Sequence, residues 1–371
     1  MSNQPRVLFF IPSLRIGGAE RVFTTLLNDF AETGIDLHLA VLQREGRFLK
    51  QLPPEVQIHD LAVRRSSRSF RRLRRLVEQL HPDVILATSL RLNLIVTLLK
   101  PRFPSRTRIV IREVTALDAL LGRGLRAWFL RRLARYAYPR ADAIVCQSQS
   151  LMEDLQQTCR TELTRTHVIP NPVDFDDVAA QAELGNPLVI AGPGPHVVAV
   201  GRLEPAKGID RLVDAFPSLL EKSPHARLWL VGDGRESSRL SDQARTLGIR
   251  ERLRFVGMQS NPYSWMKHAD LLVLPSRREG MPNALLEAIA CECPVVVLDH
   301  PGGTRDVMRD TGQAWRVVDD LHAWDDAWFE RPPPSVLEQA RRLFDRRIVV
   351  EQYRRVLLDT AAIPKSVRDA A

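Results

Sequence analysis

Glu279 and Glu287 lie in the segment RREGMPNALLEA, Arg277 to Ala288, which follows the apolar run Asp270–Leu274. An apolar run, then glycine and proline, then helix formers predicts a strand, a short loop and a helix over Asn283–Ala290. Pro282 is expected in its first turn and Gly280 where backbones approach closely. The unpaired N–H groups of a helix start favour an anion such as phosphate. A carboxylate on either side would then accept hydrogen bonds from hydroxyls, one from a sugar and one from a ribose. Taken singly, Glu279 reads more plainly as a helix-start acid and Glu287 as a solvated helix residue. Taken together they resist that reading, because Glu287 sits between Leu286 and Ala288 in an otherwise apolar stretch from Ala284 to Ala290.

Cations come from a second segment, VAVGRLEPAKGIDRLVDAF, Val198 to Phe216. Its strand-like start ends at Gly201, Arg202 and Lys207 stand in the loop, and Gly208 precedes a helix with apolar residues at Ile209, Leu212, Val213 and Phe216. Two fixed cations beside a departing diphosphate would stabilise the charge that gathers as its bond to a sugar breaks, and they could replace a metal ion. A pair of surface cations in an Arg-rich chain is the plainer alternative. A third segment, SLRIGGAERV from Ser13 to Val22, opens a helix at Gly17-Gly18. A lone Gly-Gly is a weak phosphate-loop signal. The G-x-G-x-x-G pattern is absent, and Val41-Leu42-Gln43-Arg44 stands where a nicotinamide dinucleotide enzyme needs an acid.

These loops need strands to hold them. Apolar runs at Val7–Ile11, Asp36–Leu42, Val84–Ala87, Ile109–Arg112, Ala143–Gln147 and His167–Ile169 alternate with amphipathic segments. After the Pro- and Gly-rich stretch Leu184–Pro195 a second series follows: His196–Gly201, Ala226–Val231, Arg254–Val256, Asp270–Leu274 and Pro294–Leu298. Strands buried on both faces and joined by helices predict an α/β chain of two Rossmann-like domains with parallel sheets facing across a cleft. The expected boundaries are residues 1–183, a linker at 184–195, residues 196–345, and a C-terminal helix over 346–371 that crosses back to the first domain. The chain has 371 residues, enough for two cores, and a net charge of +9, which favours an anionic partner without choosing its kind. The four cysteines, Cys146, Cys159, Cys291 and Cys293, form no C-x-x-C pair and read as buried hydrophobes in a reducing compartment. The run VLFFI is too short for a leader. No stretch approaches the roughly 20 apolar residues that span a bilayer. A cytoplasmic protein is expected.

The ordered set EGMPNALLEA with its E-x7-E spacing, VGRLEPAKG, VIPNPVD (Val168 to Asp174), LVGDG (Leu230 to Gly234) and the GGAE loop resembles the family 4 retaining glycosyltransferases of glycosyltransferase-B fold. The stretch from Phe255 to Gly303 is especially similar to members that build bacterial surface polysaccharide, lipopolysaccharide and lipid-linked oligosaccharide. The resemblance implies transfer of a hexose or N-acetylhexosamine from a nucleotide diphosphate sugar, UDP being the commonest carrier, to a lipid-linked glycan. It implies no metal and no cofactor, retention of the anomeric configuration, and front-face attack without a protein nucleophile. It places Arg202 and Lys207 on the diphosphate, Glu279 on the sugar and Glu287 on the ribose. Backbone at Asn283, Ala284 and Leu285 would meet sugar or phosphate, and Gly17 and Gly18 would approach phosphate and acceptor. Val256 and Gly257, in the loop after a strand, would lie by the base. Where many relatives carry a His-Asp pair, this chain reads VIREVTALDAL, Val110 to Leu120, so Arg112 and Glu113 are the expected acceptor contacts. PGGTRDVM (Pro301 to Met308) and the tryptophans 315, 324 and 328 have no counterpart role in the resemblance.

Two arginine-rich stretches remain. One holds Arg64, Arg65, Arg68, Arg71, Arg72, Arg74 and Arg75. The other, Gly122 to Arg140, mixes Arg123, Arg126, Arg131, Arg132 and Arg135 with Leu125, Trp128, Phe129 and Leu133. Such helices suit an anionic membrane surface, which would place the protein peripherally on the inner face of the cell membrane. A solvated helix face over a core stripe is the alternative. A polyanion or nucleic-acid binder would need a recognised reading motif, and none is present, so no nucleic-acid partner is expected. A nucleotide-sugar epimerase of similar fold, needing no acceptor, is the nearer rival.

Overall fold

The computed structural model describes residues 4–15, 17–117, 120, 122, 124–160, 163, 165–189 and 192–358. Arg123, residues 190 and 191 of the expected linker, and 359–371 of the expected terminal helix lie outside the described residues.

The chain forms two compact units, Met1–Pro172 with Arg347–Ala371, and Val173–Arg346. In the first, β1 (Arg6–Ile11), β2 (Asp36–Val41), β3 (Gln57–Asp60), β4 (Val84–Thr88), β5 (Arg108–Glu113), β6 (Ala143–Cys146) and β7 (Thr166–Val168) make one sheet in the order β3-β2-β1-β4-β5-β6-β7. All its pairings are parallel. Alternate residues of β1 supply opposite cores: Leu8 and Phe10 pack on one face, Val7, Phe9 and Ile11 on the other. Burial on both faces explains why the strand reads as an unbroken apolar run.

The second unit repeats the plan. Strands β8 (His196–Val200), β9 (Arg227–Val231), β10 (Leu253–Gly257), β11 (Leu271–Leu274), β12 (Val295–Leu298) and β13 (Val317–Val318) form a parallel sheet in the order β10-β9-β8-β11-β12-β13. Its cores also split by alternation, Val295 and Val297 against Val296 and Leu298. Strands β3 and β13 escaped the sequence reading. β3 is partly exposed along its length and β13 has only 2 residues, so neither produces an apolar run.

The units divide at Pro172/Val173, ahead of the boundary expected at residue 183. The helix Phe175–Ala182 packs Phe175, Val178 and Ala182 into the second unit's core. At the C-terminus two helices follow each other, the second of them within the expected 346–371 span. Pro334–Phe344 buries Val336, Ala340 and Phe344 in the second unit, and Arg346–Leu358 buries Val349, Tyr353, Val356 and Leu357 in the first. Between them the chain pairs with residue 173: the Val173 amide donates to Phe344 O (2.8 Å) and the Arg346 amide to Val173 O (2.8 Å). The three tryptophans without an assigned role divide as well. Trp324 and Trp328 pack together, and the Trp324 indole donates to Ala215 O (2.9 Å), which covers the helix Ile209–Lys222, while Trp315 is exposed.

Candidate functional site

In an open parallel sheet, ligands collect beyond the strand ends where the strand order reverses. In the second unit that point lies between β8 and β11, because β9 and β10 build outward on one side of β8 and β11 starts the other. Lys207 follows β8 and Glu279 follows β11, and the two side chains meet: Lys207 Nζ donates to Glu279 Oε1. Ser276 Oγ donates to the same oxygen at 2.9 Å. Glu279 Oε2 accepts no hydrogen bond among the described residues, and Lys207, with three donors, spends one on Glu279. Both side chains stay partly exposed. The pair therefore offers one carboxylate oxygen and two ammonium hydrogens to a polar ligand.

Two glycines make this approach possible. Gly208 has φ +62°, and a Cβ there would stand 2.1 Å from Pro275 O. Gly302, φ +130°, would place a Cβ 1.7 Å from Glu279 O, and the Gly303 amide donates to Gly280 O at 2.6 Å. The Pro301–Met308 segment thus has a structural role: the turn after β12 backs the main chain of Glu279. Sequence reasoning passed over Ser276 and Gly302. The available signals were a serine closing the strand run and a Gly-Gly after another strand.

The remaining expected residues are distributed as follows. Arg202 lies in the loop after β8, its side chain exposed and without an ion pair among the described residues. Glu287 is buried in the helix Asn283–Ala290. That helix has the expected span, with Pro282 as its N-cap and not in its first turn. Leu285 is a core side chain, and its amide donates to Pro282 O (3.1 Å), so it has no N–H to spare for a ligand. Asn283 and Ala284 are partly exposed in the first turn. Val256 and Gly257 belong to β10 itself and not to the loop after it, and Gly257 O accepts from the Gly232 amide at 2.9 Å. Gly17 and Gly18 open the helix Gly18–Ala31 in the first unit; Gly17 is extended, φ 176°.

Arg112 and Glu113 depart from expectation, because both side chains are inside the first unit. Arg112 is 0 % exposed: Nε donates to the Tyr353 hydroxyl (2.8 Å) and Nη2 to Asn171 Oδ1 (2.7 Å). Glu113, 1 % exposed, accepts from the Tyr138 hydroxyl. Burial pushes its carboxyl up to about 7, against the hydrogen bonds from Tyr138 and the Val114 amide, which favour the charged form. Neither side chain reaches a surface where an acceptor could meet it. The end of β5 is covered on both faces, by Tyr353 and Asn171 against Arg112 and by Tyr138 against Glu113.

The arginine-rich helices also differ from each other. Phe70–Leu80 turns Leu73 and Val77 into the core and leaves its arginines outside, the solvated-face alternative, and Arg72 bonds the carbonyls of Leu61 and Ala62. Leu125–Ala137 turns alanines 127, 134 and 137 inward and exposes Leu125 (88 %), Trp128 (57 %) and Phe129 (58 %). Among the described residues no helix is long and apolar enough to cross a membrane.

Comparison with known proteins agrees with this architecture. Residues 16–177 match the family described as Glycosyltransferase Family 4, and residues 181–326 the one described as Glycosyl transferases group 1. The chain is 28% identical over 313 residues (81% of this chain, 82% of the relative) to the N-acetylgalactosamine-N,N'-diacetylbacillosaminyl-diphospho-undecaprenol 4-alpha-N-acetylgalactosaminyltransferase of Campylobacter jejuni. It is 27% identical over 311 residues (80% and 82%) to the lipopolysaccharide core biosynthesis glycosyltransferase LpsE of Rhizobium meliloti. Among solved structures it shares its fold with Anabaena Alr3699/HepE in complex with UDP (TM-score 0.75, 19% identity, 95% of this chain and 99% of that one). It shares it also with WaaG, a glycosyltransferase involved in lipopolysaccharide biosynthesis (TM-score 0.72, 18% identity, 95% and 99%). These matches are to glycosyltransferases and favour glycosyl transfer over the epimerase alternative. With both halves matched in order and the two parallel sheets in place, the chain belongs to the glycosyltransferases of family 4, of glycosyltransferase-B fold.

Proposed function

We propose that this glycosyltransferase moves a hexose or N-acetylhexosamine from a UDP-sugar to a lipid-linked glycan in the assembly of bacterial lipopolysaccharide or surface polysaccharide, with retention of configuration and without a metal ion. The observation that carries the reading is the contact of Lys207 with Glu279 at the strand-order reversal of the second unit. A donor entering there would place its diphosphate against the spare Lys207 hydrogens and the exposed Arg202. Negative charge grows on that diphosphate as the glycosidic bond breaks, so these cations gain more in the transition state than in the ground state. Glu279, held by Lys207 and Ser276, would accept from a sugar hydroxyl through its open oxygen, and Glu287 from the ribose. With no nucleophile required of the protein, the departing phosphate would take the acceptor proton. The relatives support the acceptor class: one is named for a diphospho-undecaprenol substrate and another for lipopolysaccharide core synthesis. HepE, of the same fold, has been crystallised with UDP-glucose.

A panel of nucleotide sugars tests this by thermal shift, since a ligand that binds only the folded protein raises its melting temperature. One or more UDP-sugars are expected to raise it and to be turned over in the presence of chelator, with product of unchanged anomeric configuration. A panel in which no nucleotide sugar shifts the melt refutes the reading.

The exposed Leu125, Trp128 and Phe129 beside Arg126 and Arg132 favour peripheral attachment to an anionic membrane through the helix Leu125–Ala137. Burying one large apolar side chain stabilises by about 1.5–3 kcal/mol. The double variant Trp128→Ala with Phe129→Ala is therefore expected to weaken binding to phosphatidylglycerol vesicles by about tenfold or more, with donor hydrolysis unchanged. Equal vesicle binding by the variant excludes this helix as the anchor.

A further inference from the structure

The Lys207 turn is gripped by one residue on both of its flanks. Arg277, in the loop after β11, donates its amide to Ala206 O (2.9 Å) and Nη1 to Pro205 O (3.2 Å). Its guanidinium also holds Asp210 through two parallel bonds, Nη1 to Oδ1 and Nη2 to Oδ2, each 2.7 Å. Pro205 and Ala206 precede Lys207, and Asp210 lies in the first turn of the helix that follows it. The residue before Arg277 is Ser276, which bonds Glu279. One loop therefore orients the carboxylate through Ser276 and wraps the lysine turn through Arg277.

We propose that Arg277 and Asp210 are positioning residues that latch the Lys207 turn to the Glu279 loop, holding ammonium and carboxylate in register for the transferred sugar. The inference rests on the site reading given above. A planar fork chelating a carboxylate fixes orientation as well as distance, which a single-point contact does not. The pair is partly exposed, Arg277 44% and Asp210 19% by side chain, so it adds little to global stability and its effect should fall on geometry. Misplacing a catalytic group by a fraction of an ångström costs turnover while leaving nucleotide contacts elsewhere intact.

The test measures kcat and KM for the UDP-sugar selected by the donor panel, together with UDP affinity, in Arg277→Ala, Asp210→Ala and the double variant. Each single change is expected to lower kcat about tenfold with UDP affinity within about twofold of the parent. The double variant should be no slower than either single one, because both remove the same latch. Arg245→Ala, which breaks the surface pair with Asp242, serves as the control and should keep full turnover. If Arg277→Ala melts early, Arg277→Lys keeps the charge and loses the fork, and turnover equal to the parent's then overturns the latch. Unchanged kcat in both single variants, or multiplied losses in the double, overturns it too. Should Lys207→Ala and Glu279→Ala retain their own losses in that case, the site stands and only the latch falls; if those are also harmless, the site reading itself fails.

Discussion

Lys207→Ala and Glu279→Ala each lower turnover by roughly a hundredfold or more, the cost of deleting a preorganised contact to developing charge or to the sugar that carries it. The two losses should not multiply. Lys207 donates to Glu279, so removing either partner releases the other, and the double variant is expected to fall well short of the product of the singles. The variants should also separate by step. Lys207→Ala should weaken retention of UDP, since it removes a cation from the diphosphate. Glu279→Ala should retain UDP and lose turnover, since its partner is the sugar. Steady-state kinetics with UDP binding on the same preparations decides the matter, and parental rates in both variants would refute the site.

Arg112→Ala is expected to cost the first unit about 3 kcal/mol, from the hydrogen bonds it abandons and the cavity it leaves. Its guanidinium fastens Asn171, just before the chain leaves this unit, and Tyr353, on the helix with which the chain returns. Asn171 keeps a second partner in Gln147 (2.8 Å), whereas the Tyr353 hydroxyl, deep in the core, loses the one its bond to Arg112 supplies. Denaturant unfolding followed by amide exchange in β5 measures the loss. An acceptor-binding Arg112 would give the opposite pattern, with stability kept and the acceptor KM raised.

Much of the site could be read in one dimension because its members sit close to strand ends. Gly201, Arg202, Lys207 and Gly208 all fall in the loop after β8, and Glu279 in the loop after β11, each marked by an apolar run that stops at a glycine or proline. Fold class followed for the same reason: a parallel strand covered on both faces needs successive apolar residues, and Val7–Ile11, Val197–Val200 and Val295–Leu298 supply them. Arg112 and Glu113 were expected at an acceptor because they stand where many relatives carry a His-Asp pair, and the structure buries both. A polar pair at a strand terminus looks solvent-facing until the partners that cover it, Tyr353 and Tyr138, are brought in from distant parts of the chain. Leu285 is a second case: the resemblance gave its backbone a ligand-facing place, and helix geometry had already used the amide.

The sequence by itself determined the parallel α/β plan, the two series of strands, and the candidate lysine, arginine and glutamates, since burial on both faces and turn chemistry are written into neighbouring residues. Tertiary structure alone decided that Lys207 reaches Glu279, that Arg277 reaches Asp210, and that the helix Leu125–Ala137 exposes Leu125, Trp128 and Phe129 while Phe70–Leu80 buries Leu73 and Val77. Periodicity defines a stripe, but what covers it depends on segments far away in the chain, whose contacts leave no local mark.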